Sequence, residues 1–400
     1  MGRPFTVAFL DYNQKVNSQS SSTTCDSGLS HERWHAAIWQ YLSRVLIILL
    51  SLGAGLVNAT AQSHISAYVT NVSGTVSVID TTNNTVVATI PVGIFPSGVA
   101  ITPDGTRVYV TNIFNSISVI DSATNSVVVT IPSGQFPTGI AITPDGTRAY
   151  VVNQFVTNQG NNTVSVIDTM TNAIVATISV GLGPSEIAIT PDGTRAYVPD
   201  QQDSVISVID TATNTVVTAI PVRGTAGIAI TPDGTQAYVT SPGGGTVSII
   251  DTATNIVAAT ISLGTNQNPF GVAITPDGTR AYVTISFPNN FVSVIDTATK
   301  TVVATIPVGV APNGVAITPD GTRAYVTNDG SDTVSVIDTT TSTVVATIPV
   351  GVGPVAVAIT PMPQPPTEKE QCKHHGYLKF APPAGPFKNQ GQCISYVEHH

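Results

Sequence analysis

The long middle of this sequence has almost none of the side chains on which most enzyme sites depend. Between residues 65 and 361 there is no histidine and no cysteine, and there is one lysine, Lys300, and one glutamate, Glu186. A Ser-His-Asp site, a Cys-His site and a histidine-based metal centre are therefore excluded from this region. Acid-base chemistry would have to combine Glu186 with loop aspartates. We predict no catalytic residue, no metal and no cofactor there, which favours a protein that is not an enzyme.

Charge is scarce as well. Asp, Glu, Lys and Arg make up 10% of the 400 residues, and the formal net charge is −9. Phosphate recognition needs clustered Lys and Arg, so the composition excludes a nucleic-acid partner. Val, Ile, Thr and Gly are abundant instead, within a hydrophobic content of 42%. This composition predicts a large core built from strands.

Residues 1–61 are predicted to be a leader that ends in a secretory signal peptide. The uncharged run VLIILLSLGAGLV at 45–57 has 13 residues, fewer than the roughly 20 that a membrane-spanning helix needs. Ala59-Thr60-Ala61 fits the small-x-small pattern that signal peptidase reads, so we expect cleavage before Gln62. The mature chain would then be secreted, periplasmic or on the cell surface, without a membrane span. A retained anchor is the alternative.

Seven repeats follow the leader. Tyr-Val pairs begin at Tyr68, Tyr109, Tyr150, Tyr197, Tyr238, Tyr282 and Tyr325, in steps of 41, 41, 47, 41, 44 and 43 residues. A period of about 42 residues is typical of four-stranded propeller blades. Within one unit the order is GVAITP, a DGTR turn, AYVTN, a variable loop, VSVID, a TATN turn and VVATIPVG. We name these four predicted strands a, b, c and d.

The two ends of the repeat region complement each other. The first unit starts at strand b with SAYVTN (66–71), and GPVAVAITP (353–361) is a lone strand a. We therefore predict an all-β, seven-bladed propeller of antiparallel blades over 62–361, closed by pairing of 353–361 with the strands from 66 onward. Such closure removes the free edges that a ring open at its ends would have.

The segments AYVTN, VSVIDTATNTVVATIPVG and GVAITPDGTR closely resemble the YVTN-repeat β-propeller family, which includes surface-layer and other cell-surface proteins of archaea and bacteria. The resemblance covers about 66–361 in seven copies. It implies the seven-bladed fold and carries over no site residue, because the histidines and additional acids of propeller lyases, lactonases and quinoprotein dehydrogenases are not matched here.

The repeated turns are predicted to be scaffold. In Pro-Asp-Gly the proline fixes φ, the Asp accepts from backbone N–H groups, and the Gly can take positive φ. Rings of Ca²⁺-binding carboxylates are the alternative, although one Asp per turn lacks the spacing of a calcium loop. The arginine after each turn is expected to pair with a turn carboxylate. The turn aspartates are Asp104, Asp145, Asp192, Asp233, Asp277 and Asp320.

The repeats differ from one another mainly in the b–c and d–a connections. An antiparallel blade places these connections on the face opposite the repeated a–b and c–d turns. Binding residues belong on variable loops carried by a rigid scaffold. We predict a ligand surface for an extracellular protein or glycan there, with plugging of the core ends as the alternative role of the Phe residues. The candidate residues are Phe95, Phe114, Phe136, Phe155, Glu186, Asp200, Asp203, Arg223, Phe270, Phe287 and Phe291.

The C-terminal region is predicted to be a Pro-rich linker (362–370) and a small element (371–400). QCKHHGYLKFAPPAGPFKNQGQCISYV (371–397) is similar to a two-Cys element found at the ends of exported bacterial proteins. Cys372 and Cys393 are expected to form a disulfide in an exported chain. A metal site with His374, His375, His399 and His400 is the alternative.

These observations favour an exported, non-enzymatic propeller that serves as a binding or cell-surface structural module. A hydrolase or lyase of lactone-like substrates that uses loop carboxylates is the alternative function. Self-association into a surface layer is a third possibility.

Overall fold

The computed structural model describes residues 65–154 and 162–362. Almost all of this part of the chain is β-strand or tight turn, with two short 3-10 turns at Pro242–Gly244 and Asp329–Ser331. The strands are β1 Ser66–Asn71, β2 Thr75–Asp80, β3 Thr85–Pro91, β4 Pro96–Ile101, β5 Arg107–Asn112, β6 Ser116–Asp121, β7 Ser126–Pro132, β8 Pro137–Ile142, β9 Arg148–Asn153, β10 Thr163–Asp168, β11 Ala173–Ser179, β12 Ala188–Ile189, β13 Arg195–Asp200, β14 Val205–Asp210, β15 Thr215–Pro221, β16 Ile228–Ile230, β17 Gln236–Ser241, β18 Thr246–Asp251, β19 Ile256–Ser262, β20 Pro269–Ile274, β21 Arg280–Ile285, β22 Phe291–Asp296, β23 Thr301–Pro307, β24 Pro312–Ile317, β25 Arg323–Asn328, β26 Thr333–Asp338, β27 Thr343–Pro349 and β28 Pro354–Ile359.

The strands form seven antiparallel sheets of four, each running from an inner strand a to an outer strand d. Blade 1 has the order β28-β1-β2-β3, and blades 2 to 7 each use four consecutive strands from β4 to β27. Ala67 pairs with Ile359 and Tyr68 with Ala358, so the last strand completes the first blade. The predicted seven-bladed propeller and its mode of closure are confirmed.

The core lies between neighbouring blades. Strands b and c are buried on both faces, which is why they read as continuous apolar runs rather than as alternating ones. In one interface, Tyr109 and Val119 of blade 2 pack with Ile140 and Val151 of blade 3. Seven such clusters run around the ring. Apolar burial therefore holds each blade to its neighbours, and no blade has a complete core of its own.

The outer strands leave seven free edges, which ring closure does not remove. Their exposed residues are mostly uncharged, as in TVVATIP of β3. In every blade the c–d pairing contains a bulge, and in blade 1 Val87 is the extra residue, opposite Val78 and Ile79. A bulge twists an edge away from regular pairing, so it protects these edges without using charge.

The repeated tyrosine links each blade to the next. Its ring is buried, and its hydroxyl donates to the Asn side chain of the c–d turn in the following blade, as Tyr68 does to Asn125 at 3.0 Å and Tyr325 to Asn84 at 2.7 Å. The turn Asn takes positive φ, which Asn tolerates better than most residues. The bond satisfies a hydroxyl that burial would otherwise leave unpaired.

Two turns lack this Asn. Blade 6 has Lys300 and blade 7 has Ser342 at the same positive-φ position. Tyr238 accordingly contacts Gln236 of its own strand at 3.5 Å, and Tyr282 reaches only the backbone oxygen of Thr339 at 3.5 Å. The seams between blades 5 and 6 and between blades 6 and 7 are therefore the least well bonded at this position.

The repeated threonine makes a second link, close to the ring axis. Thr111 Oγ1 accepts from the Gly98 N–H of its own blade at 2.7 Å and donates to the Thr138 oxygen of the next blade at 2.6 Å. Blades 3 and 4 have Val152 and Pro199 in its place. There, hydroxyls of the inner segments replace it: Thr138 donates to the Ser185 oxygen at 3.0 Å, and Ser185 donates to the Ala226 oxygen at 2.9 Å.

The turn aspartates have the scaffold role that the sequence predicts. Asp145 accepts from the Thr143 hydroxyl at 2.5 Å and from the Thr147 N–H at 3.0 Å, and these bonds lower the pKa of Asp145. Arg107 pairs with Asp121 at 2.6 Å. In the described residues no group of three or more His, Cys, Asp or Glu could hold a metal ion.

We predict that Lys300→Asn stabilises the protein by about 1 kcal/mol, the net value of one hydrogen bond, because the new side chain provides the partner that Tyr238 lacks. Chemical denaturation should show a higher midpoint at an unchanged m-value. The reverse change, Asn125→Lys, should destabilise by a similar amount through Tyr68. Equal stability of Lys300→Asn and the unaltered protein would show that the tyrosine bond contributes nothing.

Candidate functional site

The propeller has two unlike faces. The turn face is formed by the a–b turns, such as 102–107, and the c–d turns, such as 121–126. The loop face is formed by the b–c connections, such as 113–115, and the d–a connections, such as 92–95. Every candidate residue that the structure describes lies on the loop face or within two residues of it along a strand. Phe155 and the C-terminal pair Cys372 and Cys393 lie outside the described residues.

The phenylalanines do not form one patch. Phe95 and Phe114 are 42% and 44% exposed, and their ring centroids are 5.9 Å apart at a tilt of 45°. Phe136 is half-buried in the next d–a connection. In blade 6, Phe287 is 71% exposed, whereas Phe291 packs against the core between blades 5 and 6. The plugging role therefore fits Phe291, while Phe95 and Phe114 present apolar surface to solvent.

Phe270 has a third position. It is the second residue of inner strand β20, and its side chain is exposed. Its carbonyl oxygen accepts the Thr240 hydroxyl at 2.6 Å, so its backbone belongs to the inter-blade links. The ring of Phe270 thus lies at the inner edge of the loop face.

Phe95 and Phe136 have a backbone conformation that disfavours their side chains. Their φ values are 52° and 49°, and a bulky residue with positive φ is strained. The same loop position holds Gly183 and Gly353 in two other blades, where glycine takes positive φ without a Cβ penalty. Since glycine would suit the fold better, we interpret these two phenylalanines as retained for what their side chains contact. Strain of this kind is typical of functional sites.

The charged candidates lie close in sequence but do not form a bonded constellation. Asp203 Oδ2 accepts the Leu182 N–H at 2.7 Å and so fixes the loop entering blade 4. Arg223 is exposed in the loop entering blade 5, and the three ion pairs among the described residues do not include it. Glu186 lies just before β12, the inner strand of blade 4, which pairs with β13. These groups therefore have separate roles.

Asp200 is a buried aspartate in a place where other blades have asparagine. Asn71, Asn112, Asn153 and Asn328 end strand b in four blades, and Asn112 Nδ2 donates to Ser118 Oγ at 3.0 Å. Asp200 is 0% exposed, accepts from Ser207 Oγ at 2.6 Å, and leaves Oδ1 without a hydrogen-bond partner. Burial raises the pKa of Asp200 to about 6, with a smaller contribution from Asp203.

Four exposed apolar residues at loop tips were not among the candidates. Ile94, Leu182, Val310 and Val352 each follow the glycine of a d–a connection, and they are 50–62% exposed. The sequence contains a signal for these residues, because an apolar residue recurs after the glycine of the d–a connection, where an exposed turn usually has a polar residue. We call Ile94, Phe95, Phe114, Leu182, Val310 and Val352 the apolar arc.

The apolar arc follows the ring. Five of its residues belong to the d–a connections that enter blades 7, 1, 2 and 4, and Phe114 belongs to the b–c loop of blade 2. The connection that enters blade 3 has the half-buried Phe136. The connections that enter blades 5 and 6 carry Arg223, Thr265 and Asn266 instead. Exposed apolar tips of the d–a connections therefore occur at blades 7, 1, 2 and 4, whereas the exposed Phe270 and Phe287 of blade 6 lie apart from them.

Two clefts of about 520 Å³ and 470 Å³ open on the turn face. The first lies between blades 3 and 4 and is lined by Asp145, Arg148 and Asp192. The second lies between blades 5 and 6 and is lined by Asp233 and the equivalent turn residues. Both are lined by equivalent residues of the repeated turns, so neither has the distinct set of side chains expected of a selective site.

No protein-family model matches the chain, and no curated protein does. Among solved structures, hydrazine synthase from Kuenenia stuttgartiensis is similar, with 28% identity over 68% of this chain and 92% of that one and a TM-score of 0.63. A functionally unknown protein from Desulfotomaculum acetoxidans has 18% identity over 74% of this chain and 99% of that one, with a TM-score of 0.65. A protein described as a 6-phosphogluconolactonase from Bacteroides uniformis has 17% identity over 74% and 100%, with a TM-score of 0.61.

These likenesses support the propeller fold. The last two are too distant in sequence to indicate anything beyond it. In the described residues no helix is long and apolar enough to cross a membrane. The run at 45–57 lies outside those residues, so the signal-peptide prediction stays a prediction.

We predict that Asp200→Asn stabilises the protein at pH 8 by up to about 3 kcal/mol, because it removes a buried carboxylate whose folded-state pKa is about 2 units above its unfolded value. The native state of the unaltered protein binds the extra proton between pH 6 and pH 4, so its stability rises as pH falls through that window. The difference between the two proteins should therefore vanish near pH 4.

Free energies of unfolding at several pH values between 4 and 8 measure this effect. Asn112→Asp is the matched control, and it should destabilise at pH 8 and recover at low pH. A difference between Asp200→Asn and the unaltered protein that is the same at every pH would contradict the assignment.

We predict that Phe95→Gly changes the free energy of unfolding by less than about 1 kcal/mol, because relief of a positive-φ strain of about 1–2 kcal/mol offsets the lost ring contact with Phe114. Phe291→Ala, in contrast, should cost about 2 kcal/mol or more, since it empties a site in the core. Denaturant unfolding of both variants tests the comparison. If Phe95→Gly costs as much as Phe291→Ala, Phe95 has a structural role.

Proposed function

We propose that this protein is an exported, non-enzymatic β-propeller that binds a protein partner through its loop face. The observation that carries the proposal is the apolar arc, which exposes six apolar side chains at loop tips on one side of that face and its rim. Exposed apolar patches are typical of interaction sites, and Phe95 and Phe114 contact each other within the arc. The strained backbone at Phe95 supports the same function.

A protein fits the arc better than a glycan does. Sugars stack on the open face of an aromatic ring, whereas the rings of Phe95 and Phe114 contact each other at an interplanar angle of 45°. The other members of the arc are aliphatic, and they offer contact area without hydrogen bonds. Apolar contact at the centre of an interface, surrounded by polar groups, is the usual arrangement between proteins.

The flanking segments leave from the opposite face. The Ser66 N–H donates to Thr360 Oγ1 at 2.9 Å, and the Thr360 N–H donates to the Ser66 oxygen at 2.9 Å, so both ends of the ring meet at the turn face. Pro361 there lies against Gly105 of the next a–b turn. The loop face is therefore free of the points where the leader and the C-terminal element join the propeller.

The repeat resemblance adds the cellular setting to this proposal. YVTN-type propellers include surface-layer and cell-surface proteins, and Ala59-Thr60-Ala61 gives a cleavage site for export. In that setting Cys372 and Cys393 form a disulfide. The partner is then an envelope or extracellular protein, and a second copy of this chain is one form that it can take.

A hydrolase or lyase that uses loop carboxylates is the alternative function. It is favoured by the raised pKa values of two carboxyl groups, since surrounding protein raises the pKa of Glu186 to about 7 and burial raises that of Asp200 to about 6. Raised pKa values are typical of acid-base residues. Asp200, however, is fully buried and bonded to Ser207, so it has no access to a substrate. Turnover of a lactone or ester that Glu186→Gln abolishes would establish this alternative.

We predict that peptides selected from a displayed random library on the full chain bind through the apolar arc. Ile94→Ser, Phe114→Ser and Val352→Ser together should weaken their binding at least about tenfold, which corresponds to roughly 1.4 kcal/mol. The matched control is Val128→Ser with Val217→Ser and Val345→Ser, which removes three similarly exposed apolar side chains from the outer strands. This control should bind like the unaltered protein.

Equal binding by the arc variant and the control would overturn the proposed surface. A glycan array ligand that is lost only in the arc variant would overturn the proposed protein partner. Sedimentation identifies the homotypic case. If the partner is a second copy, the unaltered chain sediments as an oligomer and the arc variant as a monomer.

A further inference from the structure

The inner segment of blade 4 has a carboxylate where the other blades have almost no side chain. Glu186 is the third residue of the motif that opens each inner strand, PSEIAI in blade 4 and PSGVAI in blade 2. The equivalent residues in blades 1, 2, 3, 5, 6 and 7 are Ala356, Gly98, Gly139, Gly227, Gly271 and Gly314. The seven positions form one level of the ring, close to the loop face.

A small residue is required at this level because neighbouring inner strands approach closely. A Cβ atom on Gly98 would lie 2.3 Å from the Thr138 carbonyl oxygen, and one on Gly271 would lie 2.4 Å from the Asn313 carbonyl oxygen. Inner strands have six residues in blades 1, 2, 3, 6 and 7, but β12 has two and β16 has three. The inner layer is thus interrupted beside Glu186.

The Glu186 side chain lacks a charge partner. It is exposed although it belongs to the innermost segment of its blade, and the innermost segments of a propeller surround a central channel. Its Oε2 lies 2.9 Å from the place where a Gly139 Cβ would stand. No ion pair among the described residues involves it, and the titratable residues of the flanking strands, Arg195, Tyr197 and Asp200, make no hydrogen bond to it. Surrounding protein raises the pKa of Glu186 to about 7.

We infer that Glu186 is the recognition group for a cationic side chain, arginine or lysine, that the protein partner inserts into the channel from the loop face. The partner itself rests on the proposed function. An anion on the inner wall of a channel, with no cation of the protein beside it, is stabilised when a ligand brings one. A charge-assisted bond to a guanidinium or ammonium group provides this.

An inorganic cation fits less well. Divalent ions such as Ca²⁺ need several converging oxygen ligands, and Glu186 has no second carboxylate beside it in the part of the chain that the structure describes. One carboxylate is enough for one guanidinium group, which can bind it through two parallel hydrogen bonds. The arc then provides apolar contact around this charged anchor.

Carbon-13 NMR of the glutamate carboxyl groups tests the inference on the full chain. The sequence has five glutamates, at 32, 186, 368, 370 and 398, so the spectrum is simple and the Glu186→Gln variant assigns the signal. Capped arginine is the probe, and capped citrulline is its uncharged counterpart of the same shape. Capped arginine should lower the pH midpoint of the Glu186 signal by about one unit or more.

Capped citrulline should leave that midpoint unchanged, and Asp203→Asn, which removes another acid of the loop face, should respond to arginine like the unaltered protein. A midpoint that neither probe moves, or that both move equally, overturns the inference. No partner and no arc residue enters this measurement. Failure of the arc variant in peptide selection and failure of Glu186 here are therefore distinguishable.

Discussion

Most blades bury two hydroxyl groups whose best partners lie in the next blade. The tyrosine of strand b reaches the following c–d turn, and the threonine two residues later reaches the following inner strand. An unpaired hydroxyl in a dry interface costs free energy, so a blade is satisfied only when its neighbour is in place. The ring is therefore the smallest unit in which every blade is bonded, and the pairing of β28 with β1 follows from the same requirement.

These links divide the two faces. The polar side chains of the turn face already have partners within the propeller. Asp accepts hydrogen bonds from Thr, Asn accepts one from Tyr of the preceding blade, and several Arg residues pair with Asp. A change there breaks a bond of the scaffold, which explains its uniformity. The loop face takes part in fewer such bonds, so its residues vary without loss of the ring. Apolar tips, positive-φ phenylalanines and the inner glutamate all occur on or next to that face.

The structural features that recur in every repeat could be predicted from the sequence. Seven copies of the repeat predicted the strand order and the closure, and six equivalent turn aspartates predicted their scaffold role, because a role that several residues share can be recognised from their common spacing. Properties of single residues were harder to predict. Phe291 and Phe95 both occur near loops, yet one packs in the core and the other is strained and exposed, which depends on strand register and local φ. The inner position of Glu186 likewise becomes evident only when the seven inner segments are aligned as one ring.

The closing strand also has a kinetic consequence. β1 lies among the first described residues to be made, but the strand that covers its inner side ends at Ile359, almost three hundred residues later. Contacts of such sequence separation form slowly, because a long loop must close before they stabilise anything. Until then the inner edge of β1 is unpaired, and the nearly identical inner strands of the other repeats could pair with it incorrectly. A chain of this design therefore benefits from staying unfolded until β28 has been made.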